Sequence, residues 1–330
     1  MFNFTTYVPD GAYDNRSTVD KEKDYTLDEL VASTADVPWI EKKESEWNTY
    51  PVLDQKRTSS CVAHTLAKMM GIYFKRQEGE YIDISRTHLY QRRVNKPEGG
   101  MVGADAFKIA QEGVTLAALA PNKPTDAEMD AYEIAEYKQG IGAFFAISNY
   151  IALPTRDFET VASTIYKTGK GVMVWFYGEK DEWSKFVPEI RYPKLNPSDA
   201  YIRHSVTAVD FTLYKGKKCL VIEDSAHFGG LSRRLITEDF FKARNFYAAY
   251  FMNFKYDEVK KKPKYKGTIA SMQDCLKHYG VFPSNVDSTG NWFNVTQKAV
   301  EDFCGWEQIK PVPKNKMNTA FETRLKTLYP

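Results

Sequence analysis

The sequence predicts an α+β fold. Helical periodicity dominates up to about residue 170, and alternating strands take over after residue 201. A third observation sets the size: 330 residues exceed one small domain and accommodate two at roughly 100–200 residues each. Hydrophobic residues at 43% and charged residues at 27% are the balance of an ordinary globular chain, which excludes wholesale disorder. The 45 Lys and Arg against 43 Asp and Glu leave a net charge of +2, too small to draw the chain onto nucleic acid or an anionic membrane.

Residues 1–36 are polar and rich in turn formers, and read as an N-terminal extension with TLDELVAS as a single helix. Residues 37–256 carry the strong periodicity. In CVAHTLAKMMGIYFKRQ, Val62, Leu66, Met69, Met70 and Tyr73 recur at helical spacing, which predicts a buried helix opening near Ser59 or Ser60. ADAFKIAQEGV predicts a helix closed by Gly113. FETVASTIYKTGK (158–170) predicts another, followed by the strand GVMVWFY. HSVTAVDFTLY, a turn at Lys215-Gly216-Lys217 and KCLVIEDS then read as a hairpin. Residues 257–266 form a lysine-rich linker broken by Pro263. Beyond it, 267–330 predicts a small helical module with Met272, Leu276, Val281, Phe282, Trp292, Val295, Val300 and Phe303 as its core.

The four cysteines, Cys61, Cys219, Cys275 and Cys304, have no C-x-x-C spacing. They therefore predict neither a disulfide framework nor a metal site, and the chain is read as needing no cofactor. The N-terminus lacks the basic start and apolar run of a secretory signal, and GAFFAISNYIAL (142–153) is too short to span a membrane. The expected location is the cytoplasm at synthesis.

Chemistry concentrates in DQKRTSSCVAHTLAKMM. A cysteine at the start of a helix sits at the positive end of the helix dipole, which favours its thiolate. Gln55, just upstream, can bring an amide donor to the same point and form an oxyanion hole with the Cys61 backbone N–H. HSVTAVDF then opens a strand with His204, and CLVIEDS ends the next strand with Asp224. Adjacent antiparallel strands can set the two side by side, with the carboxylate fixing the imidazole tautomer. Taken singly, a free cysteine in a core helix and a strand-edge histidine have ordinary structural readings. The ordered set favours nucleophilic catalysis.

Over about residues 37–256 the sequence resembles the papain-like cysteine peptidases. Gln55 and Cys61 fall at that family's spacing, with Ser60 immediately before the cysteine. GGMVGADAFKIAQEGVTLAALAPN matches a Gly-Gly pair, helix, Gly-hydrophobic turn and proline, with Gly99, Gly100, Gly113 and Pro121 in register. HSVTAVDF is similar to the family's histidine strand, and EDSAHFGG stands at its Asn-Ser-Trp-Gly stretch. The resemblance implies a two-lobed fold, a helical lobe plus an antiparallel sheet or barrel lobe. It also implies Cys61 as nucleophile, His204 as base and acid, Asp224 as orienting residue, Gln55 as oxyanion donor, and Gly99 and Gly100 as backbone partners of an extended peptide.

Three departures stand out. Asp224 replaces the orienting asparagine, so an exchange to Asn is expected to be tolerated. Ala226 and His227 replace the tryptophan that shields that contact, which predicts a wetter pair. Residues 1–50 are short for the family's inhibitory propeptide. His64 reads as a satisfied helix neighbour rather than a partner. Arg203 and the group Trp175, Phe176 and Tyr177 are candidates to shape the cleft, with core packing an equal reading of the aromatics.

The 267–330 module resembles the small three-helix peptidoglycan-binding domain. Asn294 stands where that pattern has glycine, and Phe303-Cys304 where it has Phe-Gln. Together these imply a thiol peptidase acting on a protein or on wall peptide, of phage or bacterial type. Peptidoglycan or other virion proteins would be its partners, and it would reach a virion or be released at lysis. The reading from a different class is a weak or inactive peptidase fold used as a structural or wall-adhesion part of a phage particle.

Overall fold

Apolar runs at helical and strand periods divide the chain into short helices and one dominant antiparallel sheet. The computed structural model describes residues 12–13, 36–133, 145–256, 263–279, 281–283 and 286–330. In chain order these form β1 (Ala12–Tyr13), α1 (Cys61–Glu78), α2 (Arg86–Tyr90), β2 (Met101–Val102), α3 (Gly103–Glu112) and α4 (Asp126–Asp130). Next come β3 (Phe145–Ile147), β4 (Tyr150–Leu153), α5 (Phe158–Thr168), β5 (Val172–Gly178), α6 (Lys180–Trp183), β6 (Ile202–Tyr214) and β7 (Lys217–Glu223). The remainder are β8 (Arg233–Thr237), α7 (Glu238–Arg244), β9 (Asn245–Phe251), β10 (Phe254–Tyr256), α8 (Ile269–Tyr279), α9 (Asn294–Trp306) and α10 (Thr319–Leu328). The expected TLDELVAS helix and linker residues 257–262 lie outside the described residues.

Helix α1 starts where its sequence signals, with Ser60 at the N-cap accepting the His64 N–H at 2.9 Å. It stops at Gly79, whose left-handed φ of 81° needs no Cβ, with Lys75 and Arg76 in the last turn favouring the negative end of the dipole. Every residue from Cys61 to Tyr73 is buried, and the helix packs against β6. A helix buried on all sides over this length lies within the packed interior, its polar side chains paired there, as Lys68 is with Glu223, and this anchors its first residue.

The six-stranded sheet has the order β4-β9-β5-β6-β7-β8, with antiparallel pairing throughout. The β6–β7 hairpin turns through Lys215 (φ 50°) and Gly216 (φ 75°). Two consecutive left-handed residues match the twist of the flanking strands. Register then fixes the site: Phe176 of β5 pairs with His204 of β6, and Ile222 of β7 pairs with Arg234 of β8. Trp175, Phe176 and Tyr177 are all buried, so these aromatics are core and not cleft wall. Each such side chain removed from water contributes about 1.5–3 kcal/mol, which gives the histidine strand a stiff support.

Two small sheets complete this part. β3 pairs with β10, and β1 runs parallel to β2 with Ala12 opposite Met101 and Tyr13 opposite Val102. The described residues up to Lys255 form one compact unit.

A second unit begins at Tyr256. Its helices α8, α9 and α10 bury Met272, Leu276, Phe282, Val300, Phe303, Phe321 and Leu325. Of the expected core, Val281, Trp292 and Val295 are only half-buried, and the Trp292 indole donates to Gln297 Oε1 at 2.9 Å. No helix among the described residues is long and apolar enough to cross a membrane.

Candidate active site

Cys61 is the first residue of α1, so its sulfur lies at the end of the helix where unpaired N–H groups concentrate positive charge. His204 enters from β6, and Asp224 directly follows β7, where its own N–H is held by Ser232 O at 2.9 Å. The antiparallel pairing brings the last two together: His204 Nε2 and Asp224 Oδ1 are 2.7 Å apart. With the carboxylate ionised, Nε2–H is the donor, which leaves Nδ1 for the sulfur.

Nδ1 completes no hydrogen bond of standard geometry among the described residues, yet the Cys61 sulfur lies close enough to act on the ring by contact and by charge. Burial alone would lower the imidazole's pKa, but the Asp224 carboxylate and then Cys61 outweigh it and raise it to about 9. For Asp224 the balance is reversed. Burial pushes its carboxyl up, while the His204 and Arg234 charges and the hydrogen bonds it accepts hold it well below the usual carboxylate range. The site therefore favours an imidazolium on His204 held against an ionised Asp224.

The expectation of a wet histidine–carboxylate pair is overturned. Trp183, the last residue of α6, is 1% exposed and stands edge-on to His204 with ring centroids 6.1 Å apart at 87°. Its indole N–H donates to Asp224 Oδ2 at 3.1 Å. Arg234 of β8 also donates to Oδ2, and the Ala226 N–H donates to Oδ1 at 2.8 Å. The shielding ring is present but arrives from a distant element, so no motif around Asp224 contains it. The available signals were a lone tryptophan ending the polar segment KDEW and an arginine inside the apolar strand RRLIT.

Gln55 is buried, and its side chain is held at both ends. Its Nε2 donates to Thr58 O at 2.9 Å, and its Oε1 accepts from Ser225 Oγ at 2.8 Å. Its backbone N–H also donates to Ser225 O at 2.9 Å, tying the segment before Cys61 to the segment after Asp224. One Nε2 hydrogen remains for a ligand.

His64 bonds Ser60 through Nδ1, to O and to Oγ at 3.0 Å each, and takes no part in the Cys61–His204 contact. Burial, then the Arg86 charge, pushes its pKa down to about 3, so it is neutral.

Gly99 faces the cysteine loop, where an added Cβ would meet Ser59 Oγ at 2.8 Å. Gly100 donates its N–H to Tyr90 Oη at 3.0 Å, and both glycine carbonyls lie within reach of Asn95 Nδ2. Strand pairing at this edge occurs one residue further on, between Met101–Val102 and β1. β1 also approaches β6, and Ala12 is 1% exposed. Cys61 and His204 are both fully covered.

No protein-family model matches the sequence, and no curated protein matches it. Solved structures do. Xylellain, a cysteine protease from Xylella fastidiosa, superposes with a TM-score of 0.56 at 14% identity, over 77% of this chain and 99% of that one. The digestive procathepsin L2 proteinase from Tenebrio molitor larval midgut matches with a TM-score of 0.52 at 18% identity, over 69% and 73%. The cysteine protease and lectin-like domains of Cwp84, a surface layer associated protein of Clostridium difficile, match with a TM-score of 0.51 at 14% identity, over 65% of this chain and 51% of that one. The fold is papain-like, of the α+β class.

Proposed function

We propose that this chain is a papain-like thiol peptidase that hydrolyses peptide bonds through Cys61, His204 and Asp224. The observation that carries the proposal is the placement of the Cys61 sulfur at a helix tip against the His204 ring, with Asp224 on the far ring nitrogen. His204 takes the thiol proton, and the resulting thiolate attacks the scissile carbonyl carbon. The negative oxygen that forms rests on the Cys61 N–H and the remaining Gln55 amide hydrogen. The imidazolium then returns its proton to the departing amine, leaving a thioester on Cys61. Water, deprotonated by His204, cleaves the thioester and restores the thiol.

For the substrate we propose a peptide, in a protein or in a bacterial wall crosslink. The helical pattern of residues 267–330 supports the wall. Sedimentation of the full chain with purified peptidoglycan tests that part, and no co-sedimentation would refute it. The reading as a structural or adhesive part of a phage particle rests on the missing tryptophan, the aspartate at position 224 and the imperfect match of the C-terminal module. Trp183 and Arg234 weigh against the first two reasons.

Because the sulfur is covered, substrate reaches it only after the cover parts, and we propose β1, which pairs with β2 and approaches β6, as part of that cover. Hydrolysis of a mixed fluorogenic peptide set by the full chain tests the proposal. Cleavage that disappears in C61S supports it. Cleavage that persists in C61S, or none by wild type even after β1 is displaced, would refute it.

A further inference from the structure

An aspartate at this place in the site has a requirement that asparagine does not. Both oxygens of an ionised carboxylate only accept hydrogen bonds, so in a dry setting each needs donors from the protein. Oδ1 has His204 Nε2 and the Ala226 N–H, while Oδ2 has Trp183 Nε1 and Arg234 Nη1. Arg234 is fully buried, and Asp224 is its one carboxylate partner among the described residues. Its other donors are bound to carbonyls: Nε to Trp183 O at 2.9 Å, Nη1 to Leu231 O at 3.1 Å, and Nη2 to Phe228 O. A guanidinium fixed at that many points cannot follow a turning carboxylate, so it determines how the carboxylate sits.

We infer that Arg234 is a positioning residue of the site: it locks the Asp224 carboxylate with Oδ1 on His204 Nε2 and offsets part of its charge, so that the pair presents the imidazole with a fixed acceptor. An asparagine would supply such an acceptor unaided. Here aspartate and arginine supply it jointly, and neither can be changed alone without leaving a buried charge unmatched. The expectation that Asp224→Asn is tolerated is therefore replaced by its opposite, because the new amide would direct N–H groups at Arg234 and Trp183.

The charged and titratable groups facing the ring are few. Cys61 comes from α1, Asp224 from the end of β7, and Arg234 from β8 behind the carboxylate. Phe176 of β5 and Trp183 of α6 carry no charge, and Glu182 beside Trp183 is bound to Arg244, Nε to Oε2 at 3.0 Å. The catalytic consequence rests on the peptidase reading, whereas the effect on His204 does not.

The test follows the ring-nitrogen NMR titration of His204 and the kcat/KM for peptide cleavage in the full chain. The variants are Arg234→Met, Arg234→Lys, Asp224→Asn and the double variant Asp224→Asn/Arg234→Met. Removing Arg234 leaves the anion uncompensated and should raise the pH at which His204 loses its proton by about one unit. Asp224→Asn leaves the cation and should lower it. Each single change should reduce kcat/KM by at least about tenfold, a loss of one of the stronger, charge-assisted hydrogen bonds. The double variant should exceed both singles. Arg234→Lys keeps the charge but not the fork and should fall between wild type and Arg234→Met, which keeps the inference testable if Arg234→Met does not fold. An unmoved His204 titration in the Arg234 variants, or a double variant worse than either single, would overturn it. If wild type cleaves nothing while His204 still responds to Arg234, the peptidase reading falls and the positioning role stands.

Discussion

Trp183 reaches across from α6 to donate its indole N–H to Asp224 Oδ2 at 3.1 Å, while its ring shields His204 edge-on. One side chain thus both satisfies the carboxylate and keeps water from the charge pair. Trp183→Phe keeps most of the shield and removes the bond to a charged acceptor, at about 1.5–3 kcal/mol of stability. Trp183→Ala also opens a cavity and should cost about 3–5 kcal/mol. Urea unfolding of the two variants checks the order, and equal losses would contradict it.

Stability should peak near pH 6.5 and fall on both sides. His204 is raised to about 9, so its contribution is complete below its ordinary 6.5 and disappears as pH climbs through about 9. His64 is lowered to about 3 and His88 to about 4, by burial and then by Arg86 and Arg92 respectively. Their contributions are complete above 6.5 and are lost as pH falls through about 4 and 3. Asp224, held low, adds to the acid loss. Thermal unfolding across pH 3–10 measures this, and His64→Gln should flatten the acid limb.

Gln55 should matter for rate more than for binding. Removing one oxyanion donor reduces kcat about 10²–10³-fold. Gln55→Ala is expected in that range with KM little changed. A KM rise with kcat intact would make Gln55 only a brace between Thr58 and Ser225.

Ala12 is buried where β1 meets β2. An arginine there cannot be accommodated without displacing the strand. Ala12→Arg should speed alkylation of Cys61 by about tenfold or more, because the sulfur is fully covered and open states limit its reaction. An unchanged rate would mean that β1 is no part of the cover.

Most of the fold was legible because its signals are local. The helix at Cys61 has its serine N-cap and glycine stop, and the β6–β7 hairpin has its Lys215-Gly216 turn. Cys61, His204 and Asp224 stood out as an ordered set, each at the end or start of an element readable on its own. What was not legible depends on which distant elements touch. Trp183 and Arg234 sit in segments that read as ordinary surface and strand, and nothing local tells that both converge on Asp224. The pairing of β1 with β2 was hidden for the same reason: two residues in a polar stretch carry no periodicity.

The account turns on whether the Cys61 sulfur shares its proton with His204. The direct measurement is the pH dependence of carboxymethylation of Cys61 in Ala12→Arg, the variant expected to expose the sulfur, beside the same chain carrying His204→Ala. The account predicts substantial reaction at pH 6, far below the ordinary thiol value of about 8.5, and its loss when His204 is replaced. Reactivity that rises only around pH 8.5 in both proteins would contradict it.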